Sequence, residues 1–289
     1  MFQFQAFFLM ALALVASMTS RDAVADEANE TRVMSFNIRF GTASDGDNHW
    51  SKRDTNVVRT IQAFDPDLLG TQETLGFQAE FLQKHLPDLT YVGASRDENP
   101  NGEQCGIMYR ANRYELRKDG QFWLSETPDT RFSRSWDSSL PRIATWVQLR
   151  DRTTGQELLF LNTHFDHKGR QARLEAARLI REFIDQQPAE LPVIVTGDFN
   201  CAVDSEPYQE LTSSPRLSDS FLRKNSSSLP NVGTFNGFQG TTSGSRIDWI
   251  LTSKDWSVTA AEIVRTSYDG LFPSDHFPVT ATLRLPAAQ

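Results

Sequence analysis

Hydrophobic and polar residues alternate over residues 33–40, which predicts a strand with one buried face. Residues 55–64 and 75–86 place apolar side chains three or four apart, as amphipathic helices do, and the longest such pattern covers 170–186. Further strands are predicted at 67–73, 106–109, 114–123, 144–150, 158–163, 193–196, 246–251, 258–266 and 277–285, with a short one near Thr234. Many strands with a few long helices indicate a layered α/β domain, and two packed sheets with outer helices are one arrangement that fits.

Polar residues recur at the ends of these apolar strands. Asp198 and Asn200 follow the strand at 193–196, two residues apart and therefore on one face of an extended chain. An ionised Asp in such a place costs free energy unless a cation or strong hydrogen bonds meet it. Residues of the same kind at other strands are Asn37, Glu73, Asn162, His164, Asp248, Asp275 and His276.

Taken singly, each of these residues is more often a turn former or a hydrogen-bonded core group than a catalytic one. Together, carboxylates, amides and imidazoles at strand ends predict a phosphoester site that holds a divalent metal ion. The carboxylates suit Mg²⁺ or Mn²⁺, and the imidazoles suit contact with phosphate and proton transfer.

Charge and composition narrow the function. The chain has 289 residues, a net charge of −8 and 39% hydrophobic residues, which is typical of a globular protein. The acidic balance argues against broad attraction to nucleic acid, because the phosphate backbone favours basic surfaces. A nucleic-acid substrate is therefore possible but not favoured.

The first residues have a different character. Residues 7–18 form an apolar run shorter than the roughly 20 residues of a membrane span. An Ala-x-Ala pattern follows at 23–25, so we expect a signal peptide over 1–25 and a single domain over 26–289. The expected product is secreted or periplasmic, without stable membrane association after cleavage; an uncleaved anchor is the alternative.

A long polar loop at 125–142 carries Trp136 and Arg142, and Arg170 and Arg173 begin the helical pattern at 170–186. Loops of this length inside a compact domain are often functional. An aromatic ring with several Arg side chains suits an anionic ligand, so these four residues are candidates for substrate binding. The alternative is that they are ordinary solvated surface residues.

Six motifs in order, "SFNIR", "TQE", "NTHFDH", "TGDFN", "RIDWI" and "SDHFPV", resemble the endonuclease/exonuclease/phosphatase (DNase I-like) superfamily. "FWLSETP" and the "LPR" that precedes the central strand are similar to its secreted bacterial branch. The resemblance implies a four-layer α/β sandwich, in which two packed mixed sheets are flanked by helices. It also implies hydrolysis of phosphoesters by direct attack of water, dependent on Mg²⁺ or Mn²⁺.

The resemblance assigns roles to the metal ligands and to one pair of residues. Glu73 would be the main metal ligand, with Asn37 and Asp275 at the same ion directly or through water. Asp248 would orient His276, and that imidazole would contact the scissile phosphate or activate water.

The remaining roles concern the attacking water and the phosphate. Asp198 would polarise the water, or hold the metal in an alternative account, and Asn200 would bind a phosphate oxygen. His164 would stabilise phosphate charge or protonate the leaving oxygen, with Asn162 in support. Tyr109 matches a tyrosine that contacts phosphate in several members; the alternative is a strand aromatic.

The favoured substrate is a phosphorylated small molecule or a phosphodiester. The alternatives are an extracellular nuclease, a sphingomyelinase-like phosphodiesterase and a non-catalytic protein that binds an anion on the same scaffold. Whether the enzyme prefers monoesters or diesters, whether it holds one or two metals, and whether Cys105 and Cys201 pair stay open. We expect a monomer.

Overall fold

The structure, a computed structural model, describes residues 30–213, 216–225 and 229–286. The predicted signal peptide lies outside the described residues and stays a prediction. In the described part of the chain the strands are β1 (Glu30–Asn37), β2 (Leu68–Thr74), β3 (Leu89–Val92), β4 (Gln104–Arg110), β5 (Tyr114–Trp123), β6 (Ile143–Asp151), β7 (Glu157–His164), β8 (Val193–Asp198), β9 (Ser218–Asp219), β10 (Asp248–Thr252), β11 (Ser257–Ile263) and β12 (Val279–Arg284). The α-helices are α1 (Trp50–Phe64), α2 (Gly76–His85), α3 (Arg170–Asp185), α4 (Glu206–Thr212) and α5 (Ser220–Lys224).

These strands form two six-stranded sheets. Sheet I has the order β11-β12-β1-β2-β4-β3, and sheet II has the order β5-β6-β7-β8-β10-β9. In sheet I, β1 pairs in parallel with β2 and antiparallel with β12. In sheet II, β8 pairs in parallel with β7 and antiparallel with β10. Both sheets are therefore mixed.

Three apolar cores hold four layers together. The core between the sheets joins Val33 and Leu68 of sheet I to Phe160 and Ile194 of sheet II. A second core joins β1, β2 and β4 to α1 and α2, and a third joins β7, β8 and β10 to α3 and α4. The resulting helix–sheet–sheet–helix order confirms the predicted four-layer α/β sandwich.

The apolar periodicity explains most elements and misses the shortest. In α3, Ala176, Ile180 and Ile184 are buried along one side at helical spacing. The strands β3 and β9 and the helices α4 and α5 are too short to show a period, and were not predicted. The strand expected near Thr234 is a single bridge between Phe235 and His276. None of the described helices has both the length and the apolar character needed to cross a bilayer.

Candidate active site

Alternation along the strands determines which polar side chains face the space between the sheets. In β1, Val33 belongs to the core between the sheets, so Asn37, four residues on, lies on the same face. In β8, Ile194 belongs to that core and Asp198 follows four residues later. Asp248 is directly opposite Asp198 in the pairing of β10 with β8. These three residues therefore meet at one end of the sandwich.

Glu73 reaches the same place through an irregularity. The pairing of β2 with β4 shifts between Thr71 and Thr74, which marks a β-bulge. Within it Glu73 has a φ of 59°, in the left-handed region that non-glycine residues rarely adopt. Bulges next to active sites commonly redirect a side chain. The bulge explains why Glu73, rather than its neighbours in regular alternation, faces the site.

The end of the sandwich holds a cleft of about 460 Å³. Seven predicted site residues line it, namely Glu73, Arg142, His164, Asp198, Asn200, Asp275 and His276. The other lining residues are Arg39, Phe40, Arg96, Glu103, Leu140, His167, Phe235 and Ile247. The predicted polar set thus largely converges on one cavity, although its members are far apart in the chain.

Asp198 is almost completely buried at the floor of this cleft, with 1% of its surface exposed. Its Oδ2 accepts a hydrogen bond from Asn37 Nδ2 at 3.0 Å, and its Oδ1 accepts one from the Asn200 main-chain N–H at 3.0 Å. Burial raises the pKa of Asp198 to about 7, and the adjacent carboxylate of Asp248 adds to the shift. A carboxyl group with a pKa near neutrality is suited to accept a proton from water.

Asp248 and His276 form a buried pair. His276 Nδ1 lies 2.9 Å from Asp248 Oδ2, and its Nε2 lies 3.7 Å from Asp198 Oδ2. Burial by itself lowers the pKa of His276, but the charges of Asp248 and Asp198 outweigh it and raise that pKa well above its ordinary value. The ring is therefore protonated at neutral pH and is suited to act as a proton donor or as a cation beside phosphate.

His164 lies on the other side of Asp198. Its Nε2 is 3.0 Å from Asn200 Nδ2 and 3.4 Å from Asp198 Oδ2. Burial and the charge of Arg142 lower the pKa of His164 well below its ordinary value, so this imidazole is neutral. A second bond from Asn200 Nδ2 to the Phe165 carbonyl at 3.0 Å fixes the amide. The two histidines thus differ in charge because their neighbours differ.

Glu73 and Asp275 form an acidic pair on the cleft. Arg39 approaches both, with Nη1 3.9 Å from Glu73 Oε2 and Nε 3.7 Å from Asp275 Oδ2. Burial raises the pKa of Asp275, and the charge of Glu73 adds to this against the opposing effects of His276 and Arg39. Two carboxylates with incomplete charge compensation supply the oxygen ligands that Mg²⁺ or Mn²⁺ prefers, so the residues fit such an ion.

Asn37 lies between the acidic groups in a different way from the one expected. Its Nδ2 donates to Glu73 Oε1 at 3.1 Å and to Asp198 Oδ2 at 3.0 Å. Its Oδ1 accepts the Arg39 main-chain N–H at 3.0 Å. Because the amide nitrogen rather than the oxygen faces the carboxylates, this geometry favours a bridge between Glu73 and Asp198 over a direct metal ligand.

A second group could also hold an ion. Asp198, Asp248 and His276 offer ligand atoms that all lie within 4.8 Å of one another. Asp248 Oδ1 has no hydrogen-bond partner among the described residues. However, His276 Nδ1 is already bonded to Asp248, and hard cations prefer oxygen to imidazole nitrogen. The acidic pair of Glu73 and Asp275 therefore fits Mg²⁺ better.

The four predicted substrate-binding residues are not together. Arg142 is buried and lines the cleft. Arg170 is exposed at the start of α3, and Arg173 Nη1 bonds the Asp166 carbonyl at 2.8 Å. Trp136 is half-buried and does not line the cleft either. The structure thus places Arg142 at the cleft and the other three residues outside its lining, and their part in substrate binding stays a prediction.

The reason lies in how the loop at 125–142 is attached. Ser139 Oγ bonds Asp166 Oδ2 at 2.7 Å, and the Leu140 N–H bonds the same oxygen at 3.3 Å. These bonds hold the end of the loop against β7 and bring Leu140 and Arg142 to the cleft. Trp136 lies in the preceding turn, where its φ is 54°.

Tyr109 is also misplaced relative to the expectation. It belongs to the core between the sheets and does not line the cleft. In β4, Gly106 is opposite Thr71, whereas Tyr109 is opposite Leu68 at the other end of β2. At about 3.4 Å per residue, three positions carry it roughly 10 Å along the strand, away from the bulge. This position agrees with the strand-aromatic alternative, and a contact of Tyr109 with phosphate stays a prediction.

Asn162 is completely buried and does not line the cleft. Its Oδ1 accepts from Gln72 Nε2 at 2.7 Å and from Thr196 Oγ1 at 3.1 Å. Its Nδ2 donates to the carbonyls of Thr71 and Gly106, both at 2.8 Å. All the bonds that the amide can make are therefore used inside the core, three of them to sheet I, and they leave nothing for a substrate. The hydrogen bonds therefore favour a structural role for Asn162, and its predicted support of catalysis stays a prediction.

Some cleft residues were not predicted. Arg39 stands two positions after Asn37 in the same motif, and residues two apart share a face of an extended chain. This spacing was a signal that could have indicated Arg39 as a site residue. Phe235 is 51% exposed, with its ring edge-on to His276 at 5.2 Å between centroids. Arg96 and Glu103 belong to a polar segment without periodicity, where no sequence signal marks them.

Comparison with known proteins extends these observations. The Endonuclease/Exonuclease/phosphatase family model matches residues 34–276. A crystal structure of a family protein from Bacteroides thetaiotaomicron superimposes with a TM-score of 0.83 at 35% identity, covering 89% of this chain and 98% of that one. The mannosyl-6-phosphatase Bt3783 of the same species superimposes with a TM-score of 0.82 at 36% identity, covering 88% and 99%.

The curated relatives are more distant. Nocturnin from Mus musculus is 24% identical over 86% of this chain and 62% of its own length. Nocturnin from Drosophila melanogaster is 26% identical over 60% of this chain and 29% of its own length. The chain thus spans less than two thirds of each of these relatives.

Proposed function

The chain belongs to the endonuclease/exonuclease/phosphatase family, and from this premise we propose that it is a divalent-metal-dependent hydrolase of small phosphorylated molecules. The observation that carries the proposal is the convergence of Glu73, Asp198, Asp275 and His276 on one cleft. Membership of this family supports phosphoester hydrolysis in general, and so does the similarity of most of the chain to the mannosyl-6-phosphatase. The acidic net charge of −8 favours a small substrate over a nucleic acid.

In the proposed reaction Glu73 and Asp275 would hold Mg²⁺ or Mn²⁺, and the ion would screen the charge of the phosphate and of the leaving oxygen. Asp198 orients a water molecule for in-line attack on phosphorus and accepts its proton. Asn37 and the Asn200 main-chain N–H direct the Asp198 carboxylate through the hydrogen bonds described above. No covalent enzyme intermediate is required.

As the new P–O bond forms, the P–O bond to the alcohol breaks, and the leaving oxygen takes a proton from the His276 imidazolium. Asp248 keeps that ring oriented and charged. The proton held by Asp198 can then return to His276, whose Nε2 is 3.7 Å from Asp198 Oδ2, after a small movement that brings the two atoms to hydrogen-bond distance. The products are the released alcohol and the phosphate group that has gained the hydroxyl, and the enzyme is restored.

The apolar run at 7–18 and the Ala-x-Ala pattern at 23–25 support export as the place of action. Under this proposal the mature domain acts on phosphoesters outside the cytoplasm. Expression with and without residues 1–25, followed by fractionation and mass determination of the mature N-terminus, tests it. Recovery of the uncut chain in the cytoplasm would reject export.

The functional proposal is tested with a panel of p-nitrophenyl phosphate, its bis-ester, mannose 6-phosphate, DNA and RNA. We expect turnover of a small ester with Mg²⁺ or Mn²⁺, loss after EDTA and recovery when metal is added. Asp198→Asn should lower kcat by at least about a hundredfold, whereas Asp119→Asn, on the exposed face of β5, should not. Turnover that survives chelation, or an active Asp198→Asn variant, would reject the mechanism.

A further inference from the structure

Arg96 and Arg142 place two buried guanidinium groups along one wall of the cleft. Arg96 is 6% exposed and Arg142 is 4% exposed. Both are anchored by neighbouring side chains. Arg96 Nη2 bonds Glu103 Oε1 at 2.7 Å, whereas Arg142 Nε lies 3.4 Å from Asp166 Oδ2 and its Nη2 donates to His167 Nδ1 at 2.9 Å. The carboxylates fix both side chains in place before any ligand arrives.

Both groups keep a buried donor without a partner. Arg96 Nε and Arg142 Nη1 have no hydrogen-bond acceptor within the part of the chain that the structure describes. Leaving a buried charged donor unsatisfied costs more than leaving a neutral one. Both side chains line the cleft, so the charge of each guanidinium group acts on a ligand that enters it, although the two unpartnered nitrogens are themselves buried.

The local field favours an anion. Burial lowers the pKa of Arg142, and the charge of Arg96 adds to this effect against the opposing charges of Asp166 and Glu103. His164, at the same wall, has its pKa lowered by burial and by these two charges. Fixed guanidinium forks with free N–H groups are well suited to bind phosphate oxygens. Two fixed guanidinium groups that line the same wall of the cleft point to a phosphate group there.

The wall is also closed behind these residues. A narrow recess shares five lining residues with the cleft, namely Glu73, Arg96, Glu103, Arg142 and His164, and its remaining lining residues are Gln104, Cys105 and Ile143. It is too small to admit a water molecule. Phosphate oxygens can contact the guanidinium groups at its mouth, but a carbon substituent on one of those oxygens has no room to extend into it.

We propose that Arg96 and Arg142 bind the terminal oxygens of a phosphate monoester and make this enzyme prefer monoesters to diesters. The inference rests on the proposed function and adds the substrate class. A monoester presents three non-bridging oxygens and a charge of about −1.5 to −2 at pH 7. A diester presents two such oxygens and one negative charge, and its second substituent meets the closed wall.

The test compares p-nitrophenyl phosphate with bis(p-nitrophenyl) phosphate, which share a leaving group, using the Mn²⁺-loaded enzyme. The wild type should favour the monoester in kcat/KM by at least about a hundredfold. Arg96→Met and Arg142→Met should each lower the monoester value by about a hundredfold and the diester value by less than about fivefold. Arg178→Met, on the exposed side of α3, should change neither value.

Calorimetric titration with inorganic phosphate gives a second readout. The Met variants should bind it at least about tenfold more weakly than the wild type, and the melting temperature checks that they fold. If a Met variant is unfolded, Arg142→Lys and Arg96→Lys replace it, and each should show a smaller loss confined to the monoester.

The outcomes separate the two proposals. An enzyme that hydrolyses the diester as fast as the monoester, or variants that lose both activities equally, would overturn the inference and leave the hydrolase intact. A protein that cleaves neither ester, yet loses phosphate binding in the Arg variants, would overturn the proposed function and leave the anion site.

Discussion

Replacement of Asn162 by Leu tests whether this residue joins the two sheets or takes part in catalysis. Leu has the same branched arrangement of side-chain heavy atoms but makes none of the four hydrogen bonds of the Asn162 amide. The variant therefore removes four contacts in a fully buried position, three of which connect sheet II to sheet I.

The magnitude follows from those contacts. A buried hydrogen bond contributes about 1 kcal/mol to stability, so four bonds amount to about 4 kcal/mol. The carbonyls of Thr71 and Gly106 lose the Asn162 donor, whereas Gln72 Nε2 keeps Ser35 Oγ at 3.2 Å. Thr163→Val is the matched control in the same strand, because it removes one bond, from Thr163 Oγ1 to the Ile143 carbonyl at 2.9 Å. It should cost about 1 kcal/mol.

Urea denaturation measures both free energies of unfolding, and steady-state kinetics is run at a temperature where each variant is folded. Asn162→Leu should be about 4 kcal/mol less stable and keep kcat/KM within about tenfold of the wild type. A loss of stability below about 1 kcal/mol combined with a fall in kcat of more than a hundredfold would refute the structural role. That result would restore the catalytic interpretation.

Three further predictions concern the cleft and its thiol. Glu73→Gln should weaken Mn²⁺ binding, measured by calorimetry, by at least about tenfold. An unchanged affinity for Mn²⁺ would show that Glu73 is not a metal ligand. Because burial raises the pKa of Asp198 to about 7 and the base acts when deprotonated, kcat/KM should rise as pH increases through about 7. A flat profile from pH 5 to 8 would contradict this. Burial raises the pKa of Cys105 to about 12. In a Cys201→Ser variant, the Cys105 thiol should therefore resist iodoacetamide at pH 7 and react once guanidinium unfolds the protein. Rapid labelling of the folded protein would show that the thiol is accessible.

Local patterns were sufficient for much of the site. Two-residue periodicity placed Asn37, Asp198 and Asp248 on the faces of their strands that meet between the sheets. The resemblance of the motifs then supplied the four-layer fold, which the sheet order confirms. Such patterns work because alternation of side chains is a property of an extended backbone and needs no knowledge of its neighbours.

Where those patterns were not sufficient, the position of a residue relative to the cleft depended on pairing between distant segments. Tyr109 has a strand pattern that would fit either end of β4, and its antiparallel register with β2 puts it at the end away from Glu73. Asn162 lies on the same face of β7 as His164, but its amide bonds residues of sheet I rather than reaching the cleft.

The sequence by itself determined which residue types are available and which face of each strand carries them. Only the tertiary structure decided that Arg96, from an aperiodic loop, stands beside Arg142, whose own loop is fixed by Asp166. The physical reason is that backbone geometry sets a side chain's direction within a few residues, whereas the neighbours it meets depend on packing and hydrogen bonds between segments far apart in the chain.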